Sequence, residues 1–250
     1  MDEKKEVALS LRNVEIAYRI ARAAALTQVF TKNARKNKYF RAIRGVSFDV
    51  YRGEIVGLIG KNGSGKSTLL RAIAGIYACD QGQIELYNHT VGLMAIGVGF
   101  MNDLSGRDNI YLSGLLMGFT RRQIDDLQEA VIEFSELRKF IDEPVRSYSS
   151  GMHSKLAFAI SAIMETDIML VDETLSVGDR RFRKKSQAKM EELIKDEDRT
   201  VLIVSHNTAT LRELCTRVLW LDEGKIRMEG DTETVLAAYE TYIDELPDSI

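Results

Sequence analysis

Gly60-Lys61-Asn62-Gly63-Ser64-Gly65-Lys66-Ser67 fits the phosphate-loop spacing G-x-x-x-x-G-K-[ST] at each of its fixed positions. The chemistry this predicts is polyphosphate capture. Successive backbone N–H groups in a tight loop make a concave anion site. Glycines let that backbone approach closely and take positive φ. A helix starting at Lys66, Ser67 and Thr68 aims its partial positive end at the phosphates. Lys66 adds a full charge toward the β- and γ-phosphates, and the Ser67 hydroxyl can ligate Mg²⁺.

Four further groups could serve the same ligand. Asp172 and Glu173 are adjacent acids closing the apolar run Ile168-Met169-Leu170-Val171. Two carboxylates at a core edge are costly unless a counter-charge balances them, which a Mg²⁺–nucleotide supplies. Asp172 would hold the metal through water, and Glu173 would orient the attacking water. His206 tips another apolar run, Thr200 to Ser205, at the strand end where doubly wound sheets hold ligands, and is read as a γ-phosphate contact. Tyr148-Ser149-Ser150-Gly151-Met152 opens a helix whose start is either a plain cap or, through its free N–H groups, a second anion site. Tyr18 ends an alternating strand and could stack on an adenine face or simply close the core.

The elements that must hold these groups alternate in type. Val7–Tyr18, Val46–Val50, Glu54–Ile59, Gln83–Leu86, Ile168–Val171 and Thr200–Ser205 read as strands, and Leu219–Ile226 as a hairpin. Thr68–Ala74, His153–Met164, Arg180–Lys195 and Thr232–Tyr242 read as helices. Between Leu104 and Ile141 the pattern turns helical. Thr120 stands as an N-cap with Gln123 as its partner, followed by Ile124, Leu127, Val131 and Phe134 at 3.6-residue spacing.

With 250 residues the chain suits one large domain or two small lobes. A net charge of −3 argues against an electrostatic nucleic-acid binder. Two distant cysteines, Cys79 and Cys215, make a disulfide framework improbable and fit a reducing cytosol. The charged start Met1 to Glu6 lacks a signal-peptide core, and the longest uncharged stretch, Leu86 to Asn102, falls short of the ~20 apolar residues of a membrane span. Residues 19–44 carry eight Lys or Arg and no acid, which reads as a solvated face or as a patch for anionic lipid headgroups or a phosphorylated lipid-linked substrate.

In this order, these residues resemble the nucleotide-binding subunits of ATP-binding-cassette (ABC) transporters over nearly the whole chain. The resemblance implies an α/β P-loop NTPase cassette: a mixed β-sheet core, an antiparallel β subdomain and a helical subdomain. The core would take residues 1–100 and 165–250, the helical part 101–164, and 19–44 would be a basic insert. It also implies ATP and Mg²⁺ as ligands, Gly60–Ser67 as Walker A, Asp172 as the end of Walker B, Glu173 as the catalytic glutamate, His206 as the switch histidine and Ser176–Asp179 as the D-loop. Tyr18, or else Tyr39 or Phe40, would stack on adenine. Ser149, Ser150, Gly151 and Met152 would act in trans on the nucleotide of a second copy.

Two features depart from the family pattern. The signature reads Tyr-Ser-Ser-Gly-Met rather than Leu-Ser-Gly-Gly-Gln, and no Q-loop glutamine stands between Ala95 and Asp103. Both departures, with Gly97–Phe100, Leu104–Ile110 and Ile132–Leu137, are similar to the polysaccharide-exporter branch, and most of all to teichoic-acid exporter ATPases. That branch implies a peripheral subunit on the cytoplasmic face of the cell membrane, paired with an integral-membrane permease that moves a lipid-linked polymer. The alternatives are an O-antigen or capsular polysaccharide exporter ATPase, often carrying an extra C-terminal sugar-binding domain for which a chain ending at Ile250 has no room, or a soluble non-transport ABC ATPase.

Overall fold

A computed structural model of the chain describes residues 6–19, 39–94, 99–172, 179–194, 196 and 198–245. Two sheets form its frame. A long antiparallel pair, β1 (Val7–Arg19) and β2 (Tyr39–Tyr51), is joined on the β1 side by β4 (Gln81–Glu85), giving the order β2-β1-β4. The larger sheet orders β5 (Val91–Met94), β6 (Ile168–Val171), β7 (Thr200–Val204), β3 (Ile55–Ile59), β8 (Arg217–Asp222) and β9 (Lys225–Asp231). Its first five strands run parallel, and β9 turns back as the second arm of a hairpin.

Both faces of the parallel strands are covered, so their sequences are continuously apolar and their residues divide by alternation. Ile168, Leu170, Leu202, Val204, Leu219 and Leu221 pack toward β1, β2 and α1 (Lys66–Ile73). Met169, Val171, Val201, Ile203, Val218 and Trp220 pack toward the opposite layer. That layer is built by α5 (Arg180–Ile194), α6 (Thr208–Leu214), α7 (Thr232–Asp244) and one side of α4 (Ser150–Ile163).

A third cluster lies among α2 (Gly106–Leu116), α3 (Arg121–Ser135) and α4. Ser105 and Asp108 form a capping box on α2, and Thr120 and Gln123 form one on α3. The α4 helix belongs to both neighbourhoods. Leu156, Ala159 and Ile160 face the helical cluster, while Phe158 and Ala162 face the sheet.

The expected strand at Val46–Val50 is longer, because β2 starts at Tyr39 inside the basic run. Arg41 reaches Glu15 of β1 at 3.9 Å and Arg44 reaches Glu223 in the β8–β9 turn at 3.9 Å. Residues 20–38 of that run lie outside the described residues. The β5 strand was not expected. It is four residues long and contains Gly92, whose added Cβ would come within 2.6 Å of Thr166 Oγ1.

Candidate phosphate-binding site

The phosphate loop leaves the end of β3 and is pinned by the turn that follows the neighbouring strand β8. Gly224, in the β8–β9 turn, donates its N–H to Ser64 O at 2.9 Å, and its carbonyl accepts from the Arg44 N–H at 2.8 Å. The loop, the hairpin turn and β2 are thereby tied at one point. Gly60 has φ +156°, and a Cβ there would sit 2.1 Å from Leu221 O. Gly65 has φ +110°, and its Cβ would meet Ala42 O at 2.7 Å. Both positions exclude a side chain for steric reasons before any ligand is considered.

Lys66 opens α1 and folds back over the loop. Its Nζ donates to Gly60 O at 2.6 Å and Lys61 O at 2.9 Å, and the residue is only 8% exposed. The Ser64 hydroxyl is buried and has no hydrogen-bond partner among the described residues. A buried cation and an orphan hydroxyl inside a ring of backbone dipoles fit an anionic ligand. Ser67, next on α1, is exposed.

The parallel register gathers the other candidates at the same edge. Val171 of β6 lies beside Ile203 of β7, and Val204 of β7 lies beside Leu58 of β3. Asp172, Ser205-His206 and Gly60 therefore leave three adjacent strands at their carboxyl ends, where open α/β sheets hold ligands. Asp172 is half-buried and His206 exposed. Ser67 and Asp172 supply hard oxygen donors of the type Mg²⁺ takes. Glu173 and the Ser176–Gly178 part of the expected D-loop lie outside the described residues.

Tyr18 donates its hydroxyl to Thr68 Oγ1 at 3.1 Å and meets the Tyr77 ring edge-on at 5.8 Å. It thus stands beside the first turn of α1, with Tyr39 and Phe40 exposed on the paired strand.

At the signature, Ser149 caps α4 by accepting the Met152 N–H at 3.2 Å, and Ser149 and Ser150 are exposed. Tyr148, where the family pattern has leucine, donates its hydroxyl to Phe140 O at 2.7 Å. Burial pushes that phenol up to about 12. Gly106 makes room for it, since a Cβ there would lie 2.3 Å from the Tyr148 hydroxyl. His153, one turn into α4, packs on Phe100 with ring centroids 4.9 Å apart, and burial holds its imidazole below the usual value.

Two contacts near the site had no local signal in the sequence. Lys155 of α4 reaches Asp179 at 2.8 Å, and Lys61 of the loop reaches Tyr242 of α7 at 2.9 Å. Both join residues distant in the chain, and only the three-dimensional arrangement pairs them. Among the described residues no helix is long and apolar enough to cross a membrane.

Comparison with known proteins agrees with this geometry. The family model described as ABC transporter matches residues 43–176. The chain is 46% identical over 211 residues to the teichoic acids export ATP-binding protein TagH of Lactococcus lactis, covering 84% of this chain and 45% of that one. It is 42% identical over 208 residues to the O-antigen export system ATP-binding protein RfbB of Myxococcus xanthus, covering 83% and 47%. It is also 42% identical over 242 residues to TagH of Staphylococcus haemolyticus, covering 96% and 90%. Relative to the first two, the chain spans about half the length of the proteins it matches. Among solved structures, an ATP-binding subunit of an ABC transporter superposes with TM-score 0.70 at 19% identity, covering 95% of this chain and 98% of that one. The dimeric structure of a bacterial ABC transporter cassette gives 0.67 at 18%, covering 90% and 98%. An α/β P-loop cassette with its site at the carboxyl edge of a parallel sheet, matched by a family model and by relatives above 40% identity, places this chain in the ABC transporter family.

Proposed function

We propose that the chain is the ATP-hydrolysing subunit of an exporter that moves a lipid-linked cell-wall polymer, of the teichoic-acid class, across the cytoplasmic membrane. The observation that carries this reading is the convergence of the phosphate loop, Asp172 and His206 at the ends of three neighbouring parallel strands. The names of the relatives support the substrate class.

In this reading Gly60 to Thr68 cradle the triphosphate. Lys66 exchanges the Gly60 and Lys61 carbonyls for β- and γ-phosphate oxygens. Ser67 and Asp172 hold Mg²⁺, which when bound offsets phosphate charge. Glu173 orients the water that attacks the γ-phosphorus as the bond to the β,γ-bridging oxygen breaks, and His206 hydrogen-bonds the γ-phosphate. Tyr18 stacks on adenine or, with Thr68, closes that side of the pocket while Tyr39 or Phe40 stacks.

A second copy completes the site: its Ser149, Ser150, Gly151 and Met152 present the start of α4 to the γ-phosphate. Residues 101–164 serve as the helical subdomain. An apolar groove of about 380 Å³ between this subdomain and the core, lined by Ile76, Phe100, Leu116 and Met117 among others, receives cytoplasmic helices of a separate permease. The chain then works as a peripheral subunit on the cytoplasmic face of the membrane. A second reading, an O-antigen or capsular polysaccharide exporter, is favoured by the similarity to RfbB.

The test is Glu173→Gln in the complex purified with its permease from native membranes. The variant is expected to bind ATP and to hydrolyse almost none. Near-normal turnover removes Glu173 from its role, and the lipid-linked glycan that co-purifies decides between the two polymer classes.

A further inference from the structure

The second residue of the phosphate loop is held by the last described helix. Lys61 Nζ donates to the Tyr242 hydroxyl at 2.9 Å and lies 4.4 Å from the centre of the same ring. Tyr242 is itself fixed. Its ring packs on Trp220 of β8 with centroids 5.0 Å apart, and the Arg227 guanidinium of β9 lies 4.1 Å from its centre. Arg227 also lies 4.4 Å from the Trp220 ring and is matched by Asp222 at 3.0 Å.

Lys61 meets the loop from its other end as well, since its carbonyl is one of the two that hold Lys66 Nζ. A short path therefore runs from α7 through Tyr242 and Lys61 to the Lys66 ammonium, which the nucleotide-binding reading sets against the phosphates. Fixing a long lysine side chain costs rotamer entropy, and the ring face and hydroxyl offset that cost only while α7 is seated.

We propose that Tyr242 is a positioning residue for the phosphate loop, so that the seating of α7 sets the affinity for nucleoside triphosphate. The inference rests on the nucleotide-binding reading above. Linkage makes the coupling reciprocal: nucleotide must stabilise the docking of α7 by the same factor that docked α7 strengthens nucleotide binding. A partner that pulls on α7 would thereby loosen the nucleotide.

The experiment measures Mg²⁺-dependent binding of a slowly cleaved ATP analogue by equilibrium dialysis. It compares wild type, Tyr242→Phe, Tyr242→Ala, Lys61→Ala and the Tyr242→Ala/Lys61→Ala pair. Trp220, the only tryptophan in the chain, is followed by emission in the same samples. Loss of the hydrogen bond and the ring contact should weaken binding about five- to tenfold in each Ala variant. The pair should be no weaker than either single change, and Tyr242→Phe, which keeps the ring, should lose less. Wild type should show a saturable change in Trp220 emission that Lys61→Ala lacks.

A purely structural role for Tyr242 predicts a lower Tm with unchanged affinity, or effects of the two Ala changes that simply add; either overturns the proposal. If Tyr242→Ala does not fold, Lys61→Ala decides alone, and wild-type affinity with wild-type emission change overturns it. Wild type that binds no analogue at all sinks the nucleotide-binding reading itself.

Discussion

Lys155, on the helix that begins at the signature, places its ammonium 2.8 Å from the carboxylate of Asp179, which caps α5 by accepting the N–H groups of Arg181 and Phe182. The same ammonium reaches Glu136 at 3.2 Å and lies 5.0 Å from the centre of the Phe182 ring. One side chain thus ties the end of α3, the first half of α4 and the start of α5. Burial alone would lower the Lys155 ammonium, yet its hydrogen bonds to Asp179 and Glu136 leave it raised. The helical cluster is thereby fastened to α5.

Lys155→Met keeps the aliphatic stem and removes the charge, leaving Asp179 without its ammonium and Glu136 with Lys185 at 3.8 Å. The expected result is a fall of a few degrees in Tm. The pH dependence follows from Asp179, whose carboxyl is held down at about 2, first by Lys155 and then by the Phe182 N–H. A folded value below the ordinary carboxylate range means that the stabilisation is complete above it and is lost as pH falls through about 2. The Tm gap between variant and wild type should therefore hold through neutral pH and close as acid protonates Asp179. A gap that persists in strong acid would place the effect in packing on Phe182 instead.

Gly60 and Gly63 differ in a way that separates sterics from strain. A Cβ at Gly60 would meet Leu221 O at 2.1 Å, whereas one at Gly63, with φ +81°, meets nothing within 4 Å. Gly60→Ala should cost more than about 2 kcal/mol of stability because β3 and β8 must part to admit it. Gly63→Ala should cost only about 1 kcal/mol of backbone strain. Urea unfolding of the two variants checks the ordering, and equal losses would remove the Leu221 contact as the cause.

Thr120→Ala removes one half of the capping box on α3, in which Thr120 Oγ1 accepts the Gln123 N–H at 3.4 Å and Gln123 Oε1 accepts from the Thr120 N–H at 2.9 Å. The expected loss is about 1 kcal/mol in the denaturant midpoint, with the slope unchanged. A change in slope instead would mean that the helical cluster unfolds separately.

How far the sequence was legible followed the range of the interactions. The α3 cap was readable because Thr120 and Gln123 are three residues apart, and the parallel strands because burial on both faces leaves uninterrupted apolar runs. The phosphate loop was readable because its glycines, lysine and hydroxyl are contiguous. The extension of β2 back to Tyr39 was not, because Tyr39, Phe40, Arg41 and Arg44 are exposed and show no alternating apolar face, and only pairing with β1 makes them strand. The tethers from Lys61 to Tyr242 and from Lys155 to Asp179 join residues far apart in sequence, and no spacing encodes them.

Tyr148, which opens the segment read as the signature, is matched by an equally specific glycine. Gly106 stands in the first turn of α2, where a Cβ would lie 2.3 Å from the Tyr148 hydroxyl and 3.0 Å from both Ile141 Cδ1 and Ile141 O. Alanine favours a helix over glycine by about 1 kcal/mol, so an unobstructed Gly106→Ala would stabilise the protein. Overpacking typically costs about 1–3 kcal/mol, so the net change should be destabilising. The nearest atom is the hydroxyl alone, and Tyr148→Phe removes it together with the hydrogen bond to Phe140 O. That bond contributes about 1 kcal/mol, so the phenylalanine variant is itself weaker. Combining the two changes should then cost less than the sum of the single effects, because the second relieves the collision made by the first. The double-mutant cycle reads this directly from denaturant unfolding. Strict additivity would mean that Ile141, rather than the tyrosine hydroxyl, is what keeps this position a glycine.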